Sequence, residues 1–261
     1  MKILAALAVA WALALGALPA FAQDAAAERA RTQKEAEAGD TEAAFILGRM
    51  YRDGVGGPVD KAEARLWLRK ASDGGHVRAS VLLGLMFMAG DGGSVDRDAA
   101  RLLLLFASSA GDDDAFYAMG VLFAEGTSAN GGGPAQNGPN AVFWFRAAAE
   151  RGNVDGMYNL GLMYLRGIGT ARSPETAYQW FLKAAEAGEP QAQFVVATML
   201  AEGQGVPTDA KMALVWYLRA KASGMVDDEL EVSLIKRLTE EEVAEARRLA
   251  AQPPASAAAT P

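Results

Sequence analysis

DGMYNLGLMYLRGIGTARSPETAYQWFLKAAEAG, from Asp155 to Gly188, is the stretch of sequence that decides the fold. Its first half places four residues on one face of a helix, at the spacings i, i+3, i+4 and i+7: Met157, Leu160, Gly161 and Tyr164. Its second half carries a matching stripe of small and large residues: Ala177, Trp180, Phe181 and Ala184. Neither face is large enough to form a core alone, so the stretch predicts two short helices that pack on neighbours.

Variants of this stretch recur before and after it, mostly with a period of 36 residues. The glycine inside the first helix recurs in four copies and is replaced by alanine in the fifth: Gly48, Gly84, Gly120, Gly161 and Ala197. The glycine that closes each copy keeps the same steps: Gly75, Gly111, Gly152, Gly188 and Gly224. A glycine within a helix costs about 1 kcal/mol relative to alanine. Its recurrence therefore predicts close approach of a neighbouring helix.

The pattern LGxMYxxG…AxxWFxKAAExG, from Leu160 to Gly188, resembles the Sel-one-like repeat, a relative of the tetratricopeptide repeat. The resemblance extends over about Asp40 to Gly224 and departs at Leu103, where a tryptophan is missing, and at Ala197. We therefore predict an all-α fold, a right-handed α-solenoid of about five helix–turn–helix repeats. The predicted repeats are 41–76, 77–112, 113–153, 154–189 and 190–225.

Both ends of the repeat array are predicted to carry capping helices, because the end of a solenoid needs a polar outer face. Residues 23–40 are similar to the second half of a repeat, with Gly39 at the closing position. Residues 226–251 are predicted to form two helices, the second with a capping box between Thr239 and Glu242. The tail, 252–261, contains only small residues, proline and glutamine and is predicted to be disordered.

Two further segments depart from the repeat. Residues 1–22 combine Lys2, an apolar run and the small-x-small sequence Ala20-Phe21-Ala22, which predicts a signal peptide cleaved before Gln23 and a periplasmic or secreted bacterial protein. The alternative is a membrane anchor, although the run is shorter than the ~20 residues that a spanning helix needs. Thr127–Asn140 is rich in glycine and proline and predicts a mobile loop that holds a five-residue insertion, since this copy is 41 residues long.

The composition narrows the classes of function. A net charge of −7 and a pI near 4.9 argue against nucleic acid or an anionic membrane surface as the partner. The chain has no cysteine, so it cannot form disulfides or thiolate metal sites, and we expect no metal or cofactor. Insertion of the mature chain into a membrane is not expected either, because no other stretch is long and apolar enough.

Residues for catalysis are scarce. His76 is the single histidine, and its proximity in sequence to Ser72 and Asp73 invites interpretation as a triad. Other copies place unrelated residues at the His76 position: Asp112, Asn153, Glu189 and Met225. Variation of this kind is typical of a structural turn. The sequence therefore predicts no catalytic residue.

The resemblance to tetratricopeptide arrays implies that the first helices line a concave surface where a peptide or protein partner binds. The residues expected on that surface are mostly apolar or aromatic, with arginine at one end: Phe45, Arg49, Arg52, Val81, Leu85, Tyr117, Val121, Tyr158, Leu162 and Phe194. The alternative interpretation is that these side chains form the core between repeats. The predicted function is an exported scaffold or adaptor for envelope assembly or signalling. The alternatives are a hydrolase of cell-wall or β-lactam substrates and a non-specific structural or holder protein.

Overall fold

The computed structural model describes residues 20–125 and 134–253, which form thirteen α-helices and no strand. The first seven are α1 (Ala20–Glu37), α2 (Thr41–Asp53), α3 (Lys61–Asp73), α4 (Val77–Ala89), α5 (Arg97–Ser109), α6 (Asp113–Glu125) and α7 (Pro134–Glu150). The remaining six are α8 (Val154–Arg166), α9 (Pro174–Glu186), α10 (Pro190–Glu202), α11 (Ala210–Ala222), α12 (Asp228–Ile235) and α13 (Glu240–Ala250). The predicted fold class, an all-α repeat solenoid, is confirmed.

The chain divides into two compact units, residues 1–115 and 116–261. In the first unit, α1 to α5 pack in sequence order, each helix on the next. In the second unit, α7 to α11 do the same, and α11 also contacts both α12 and α13. Within each unit, a repeat therefore completes its apolar face with the adjacent repeat.

The helices begin at capping residues that recur at fixed repeat positions. Before each first helix, the side chain of the N-cap residue accepts a hydrogen bond from a backbone N–H of the first turn. These N-cap residues are Asp40, His76, Asp112, Asn153 and Glu189. Four of the second helices have equivalent caps, from Asp60, Asp96, Ser173 and Asp209. His76 thus belongs to a series of N-caps, which explains why its position varies among polar residues in the first five copies.

The glycine inside the first helix lies against the second helix of the same repeat, as predicted. A Cβ atom on this glycine would lie 2.7 Å from Leu68 at Gly48 and 2.8 Å from Phe181 at Gly161. At Gly120 the same atom would lie 2.4 Å from the ring of Phe145. At these three positions a larger residue would have to displace the facing side chain, so glycine allows the two helices to approach closely.

A second recurring glycine joins neighbouring repeats. Gly92 has a positive φ of 77°, and a Cβ atom on it would lie 2.1 Å from the backbone oxygen of Lys61, at the start of the preceding second helix. Gly56 has the same relation to Ala25 of α1, with 2.2 Å between the corresponding atoms. Because Ala25 and Lys61 are 36 residues apart, α1 occupies the place of a second helix in a half repeat.

Arginine side chains reinforce this junction in the first unit. The guanidinium of Arg65 in α3 donates to the carbonyl oxygens of Met86, at 2.8 Å, and Ser94, at 3.1 Å, in the following repeat. Arg29, one period earlier in α1, lies 3.6 Å from the ring centroid of Tyr51 and donates to the carbonyl oxygen of Pro58. The carbonyl oxygens of Pro58 and Ser94 lie in turns outside the helices, so these bonds tie the turns of one repeat to the second helix of the repeat before it.

One prediction about the insertion is wrong in part. The loop expected over Thr127–Asn140 ends early, because α7 begins at Pro134 and includes Pro139. Pro134 is the first residue of α7, where no intrahelical bond needs its nitrogen, whereas Pro139 lies inside the helix and leaves one backbone hydrogen bond unmade. Gly138 lies in backbone contact with Gly169 of the next turn, which fixes this end of α7. Residues 126–133 lie outside the described residues, as do 1–19 of the predicted signal peptide and 254–261 of the tail.

The C-terminal helices cover the end of the last repeat. Leu234, Val243 and Ala246 are buried and join the apolar cluster that contains Trp216 and Tyr217. The capping box between the side chains and backbones of Thr239 and Glu242 is present at the start of α13. Across the described ranges, no helix combines the length and apolar character that crossing a membrane would require.

Candidate functional site

A cavity of about 270 Å³ lies on the first-helix face of the first unit. Its apolar lining comes from α2 and α4: Phe45, Val81, Leu82 and Leu85. Its charged lining includes two arginines and two aspartates: Arg49, Arg78, Asp112 and Asp114. Four of the predicted partner-binding residues, Phe45, Arg49, Val81 and Leu85, therefore meet at one cavity. We call this cavity with its eight residues the α2–α4 cavity.

The apolar wall is fixed by packing with His76. The ring of Phe45 stacks on the imidazole of His76, with 4.3 Å between centroids and 25° between planes. The imidazole accepts the Ala79 backbone N–H at Nδ1, and its Nε2 lies 2.9 Å from the carboxylate of Glu42. Nδ1 must therefore be unprotonated, so the neutral ring donates from Nε2. Phe45, with one face against this ring, is 9% exposed.

The exposed part of the α2–α4 cavity comes from residues that follow the helical glycines. Leu85 is 42% exposed, whereas Val81 is only 7% exposed. Arg49 is exposed, and its guanidinium carbon lies 5.7 Å from the centroid of the Phe45 ring. A partner would thus contact Leu85 and Arg49 directly, and Phe45 and Val81 act mainly as its rigid floor.

Arg52 does not line this cavity. Its guanidinium is bonded to the carboxylate of Asp53, with 2.6 Å between Nε and Oδ1. This hydrogen bond raises the pKa of Arg52 and holds the pKa of Asp53 below its usual range.

The predicted residues of the second unit are half-buried. Each ring packs on an aromatic side chain of the second helix: Tyr117 on Phe145, Tyr158 on Phe181 and Phe194 on Tyr217, with centroids 5.9, 5.5 and 6.5 Å apart. Burial raises the pKa of Tyr117 and of Tyr158. These rings therefore contribute to the packing within each repeat and keep part of their surface exposed.

Leu162 lines a second, smaller cavity of about 180 Å³, together with Asn159 and Arg166 of α8 and Phe145 of α7. Val121 is half-buried on α6. The lining of this second cavity is mostly apolar and includes one arginine, Arg166.

No triad forms around His76. The Ser72 hydroxyl lies 2.7 Å from the Ser80 hydroxyl, and the two ring nitrogens of His76 are bonded to Ala79 and Glu42. Within residues 20–125 and 134–253, no group of three histidine, aspartate or glutamate side chains is placed to hold a metal ion.

The sequence analysis missed Arg78, Leu82, Asp112 and Asp114 as cavity residues. Arg78 carried a signal that was available, because its repeat position holds Glu42, Asp114, Asp155 and Gln191 in the other copies. A basic residue at that position departs from the pattern. Arg49 departs in the same way, since its equivalents are Leu85, Val121, Leu162 and Thr198.

Comparison with known proteins identifies the repeats. The Sel1 repeat model matches five segments: residues 41–76, 77–112, 114–153, 154–189 and 190–225. These segments agree with the predicted repeats except that the third begins one residue later. A search of curated proteins found no match to the chain.

Two solved structures extend the comparison. A Sel1 repeat protein from Oxalobacter formigenes is 28% identical, with a TM-score of 0.66, over 82% of this chain and 88% of that one. A protective antigen of uropathogenic Escherichia coli strains, described as displaying an SLR fold, is 25% identical, with a TM-score of 0.51. That match covers 87% of this chain but 56% of the antigen.

Proposed function

This chain belongs to the Sel1 repeat family, whose members are generally non-catalytic scaffolds for protein interaction, and we propose that it binds a peptide or protein partner through its first-helix face. The observation that carries the proposal is the α2–α4 cavity, where the exposed side chains of Leu85 and Arg49 lie beside the buried apolar side chains of Phe45 and Val81. Apolar side chains that are held in place lose little conformational entropy on binding, which favours affinity.

We further propose that the protein is exported and acts in the bacterial envelope as an adaptor for assembly or signalling, without catalytic activity. The support for export is the N-terminal sequence pattern, and the support for a non-catalytic role is the engagement of His76 in capping α4. Cell fractionation and N-terminal sequencing test export. A periplasmic or secreted product that begins at Gln23 is expected, and an uncleaved cytoplasmic product would contradict export.

Site-specific photocrosslinking tests the binding face. A photoreactive amino acid at Leu85 or Leu162 is expected to crosslink discrete protein partners in the native cell. The matched control is the same amino acid at Leu66, a residue of α3 that is 56% exposed and lines neither cavity. Equal crosslinking from Leu66, or none from Leu85 and Leu162, would contradict a first-helix binding face.

A further inference from the structure

We propose that the α2–α4 cavity recognises an internal acidic peptide segment, in which one leucine- or phenylalanine-sized side chain enters the cavity and a nearby carboxylate binds Arg49 and Arg78. This inference rests on the proposed function and names the chemistry of the partner. Two observations support it: both arginines break the repeat pattern, and both line the same cavity.

Arg78 stands where a positive charge is locally unfavourable. It occupies the first turn of α4, and that turn contains no acidic residue. The N-terminus of a helix carries a partial positive charge, so a cation there is destabilising and an anion is favourable. The equivalent positions hold Glu42, Asp114 and Asp155, which follow that preference. An anion bound beside Arg78 would therefore be favourable, and a partner can supply it.

Arg49 replaces a neutral residue on the same face. Its equivalents in the other repeats are leucine, valine, leucine and threonine. Among the described residues, neither Arg49 nor Arg78 takes part in an ion pair. The two guanidinium groups are thus available to bind an oxygen anion, which arginine does with directional hydrogen bonds.

The aspartates of the α2–α4 cavity do not cancel this preference. Asp112 caps α6, where one carboxylate oxygen accepts the backbone N–H groups of Asp114 and Ala115 at 3.1 and 3.2 Å. Asp114 lies in the first turn of the same helix. Both carboxylates are therefore partly compensated by the α6 N-terminus. Within the part of the chain that the structure describes, the charged groups of the cavity without an ion-pair partner or a helix N-terminus to offset them are therefore the two arginines, although the whole chain carries −7.

The size of the cavity sets the apolar part of the ligand. A volume of about 270 Å³ accommodates one large side chain and not a folded element. The floor is apolar and preformed by Phe45 and Val81, and Leu85 adds an exposed apolar wall. Burial of one such side chain contributes to affinity and, together with the carboxylate, fixes the position of the segment.

Selection from a phage-displayed library of random dodecapeptides tests the proposal, because fusion through the C-terminus of the peptide removes its terminal carboxylate and leaves only side-chain carboxylates to bind the arginines. The bait is the full mature chain. Enriched peptides are expected to share one apolar residue with aspartate or glutamate within three positions. Their affinity is then measured by fluorescence anisotropy on amidated synthetic peptides, each compared with a version whose acidic residues are replaced by glutamine or asparagine.

Two variants return the arginines to the repeat pattern and should preserve the fold. R49L and R78E are each expected to weaken binding of the acidic peptides about tenfold or more. R78E places an acidic residue at a helix N-terminus, so its melting temperature should be equal to or above that of the wild type. A purely structural role of Arg78 would predict the opposite. R31E in α1 is the control, since it makes the same charge change at an exposed side chain away from the cavity.

The outcomes separate the two proposals. Binding that R49L and R78E leave unchanged, or that glutamine substitution in the peptide leaves unchanged, overturns the acidic specificity. If Leu85→Asp abolishes binding that does not depend on the arginines, the first-helix face is retained as the binding site and only the acidic specificity is lost. Failure to enrich any peptide overturns the acidic-peptide proposal alone, and binding that Leu85→Asp also leaves unchanged contradicts the first-helix face as well.

Discussion

Gly120 shows how far a single atom determines the packing of a repeat. An alanine there would place its Cβ 2.4 Å from Cδ1 and 2.9 Å from Cγ of Phe145, whose ring is 2% exposed. A buried ring cannot move without shifting its helix, so we expect Gly120→Ala to lower the free energy of unfolding by about 1–3 kcal/mol. Urea denaturation followed by circular dichroism measures this change.

Gly84→Ala is the matched control at the residue scale. The same methyl group would lie 3.0 Å from Cγ and 3.1 Å from Cδ2 of Leu104, an aliphatic side chain with more rotational freedom than a ring. Alanine also gains about 1 kcal/mol of helix propensity over glycine. We therefore expect Gly84→Ala to be neutral or stabilising. Equal destabilisation by both variants would show that the contact with Phe145 is not the cause.

At the scale of whole elements, Gly169 joins a turn to the preceding repeat. It has a φ of +70°, and an added Cβ would lie 2.0 Å from the carbonyl carbon of Gly138 and 2.5 Å from the nitrogen of Pro139. All of these neighbours are backbone atoms, so no side chain can move aside. We expect Gly169→Ala to be strongly destabilising and to increase hydrogen exchange at the start of α7.

Gly188→Ala separates backbone strain from this contact. Gly188 has a φ of +96°, but an added Cβ there would have no neighbour within 4 Å. Only the left-handed conformation then opposes the substitution, at about 1–2 kcal/mol. Gly169→Ala should cost more than Gly188→Ala in urea denaturation. Similar losses would mean that the contact between the repeats contributes little.

The capping box of α13 should make its stability depend on pH. Hydrogen bonds from the Thr239 backbone and hydroxyl hold the pKa of Glu242 below its usual range. A lowered pKa in the folded state gives a stabilisation that is present above the unfolded pKa and is lost as the pH falls through the folded value. We expect Glu242→Ala to lower the melting temperature at neutral pH. Its difference from the wild type should shrink on acidification, and a constant difference would contradict the box.

At the scale of the whole molecule, the sequence predicts the structural features that all repeats share and misses those that occur in one repeat only. The helix pairs, their order and the close approach at Gly48 or Gly161 follow from a 36-residue period, because each repeat must bury the same face. The start of α7 at Pro134 does not follow, since glycine and proline are typical of loops and the contact with Gly169 is not local in sequence.

The candidate site was predictable to the same extent. Phe45, Val81 and Leu85 follow from the face of the first helix, but the repeat pattern cannot distinguish a cavity floor from a cavity wall, which depends on how the neighbouring helices pack. Arg52 was placed on this face by its spacing, but its guanidinium is bonded to Asp53 and it does not line the cavity. Arg78 could be found only by searching for residues that differ in charge from their equivalents in the other repeats.

The C-terminal helices α12 and α13 cover the apolar face of the last repeat. Leu234, Val243 and Ala246 are buried against the last repeat, where Trp216 is 4% exposed and Tyr217 fully buried. Arg219 adds a bond from its guanidinium to the carbonyl oxygen of Leu249, at 3.1 Å. A chain that ends at residue 225 would expose this apolar surface to water at about 25 cal/mol for each Å².

We therefore expect truncation after residue 225 to lower the melting temperature and to promote self-association, measured by calorimetry and by light scattering. Truncation after residue 253 is the control, because it removes only the small and proline residues of the tail and leaves α13 complete. That shorter deletion should leave both measurements unchanged. If the chain that ends at residue 225 melts like the full chain, α12 and α13 are not needed to close the last repeat, and the apolar face of α11 must be stable in water by itself.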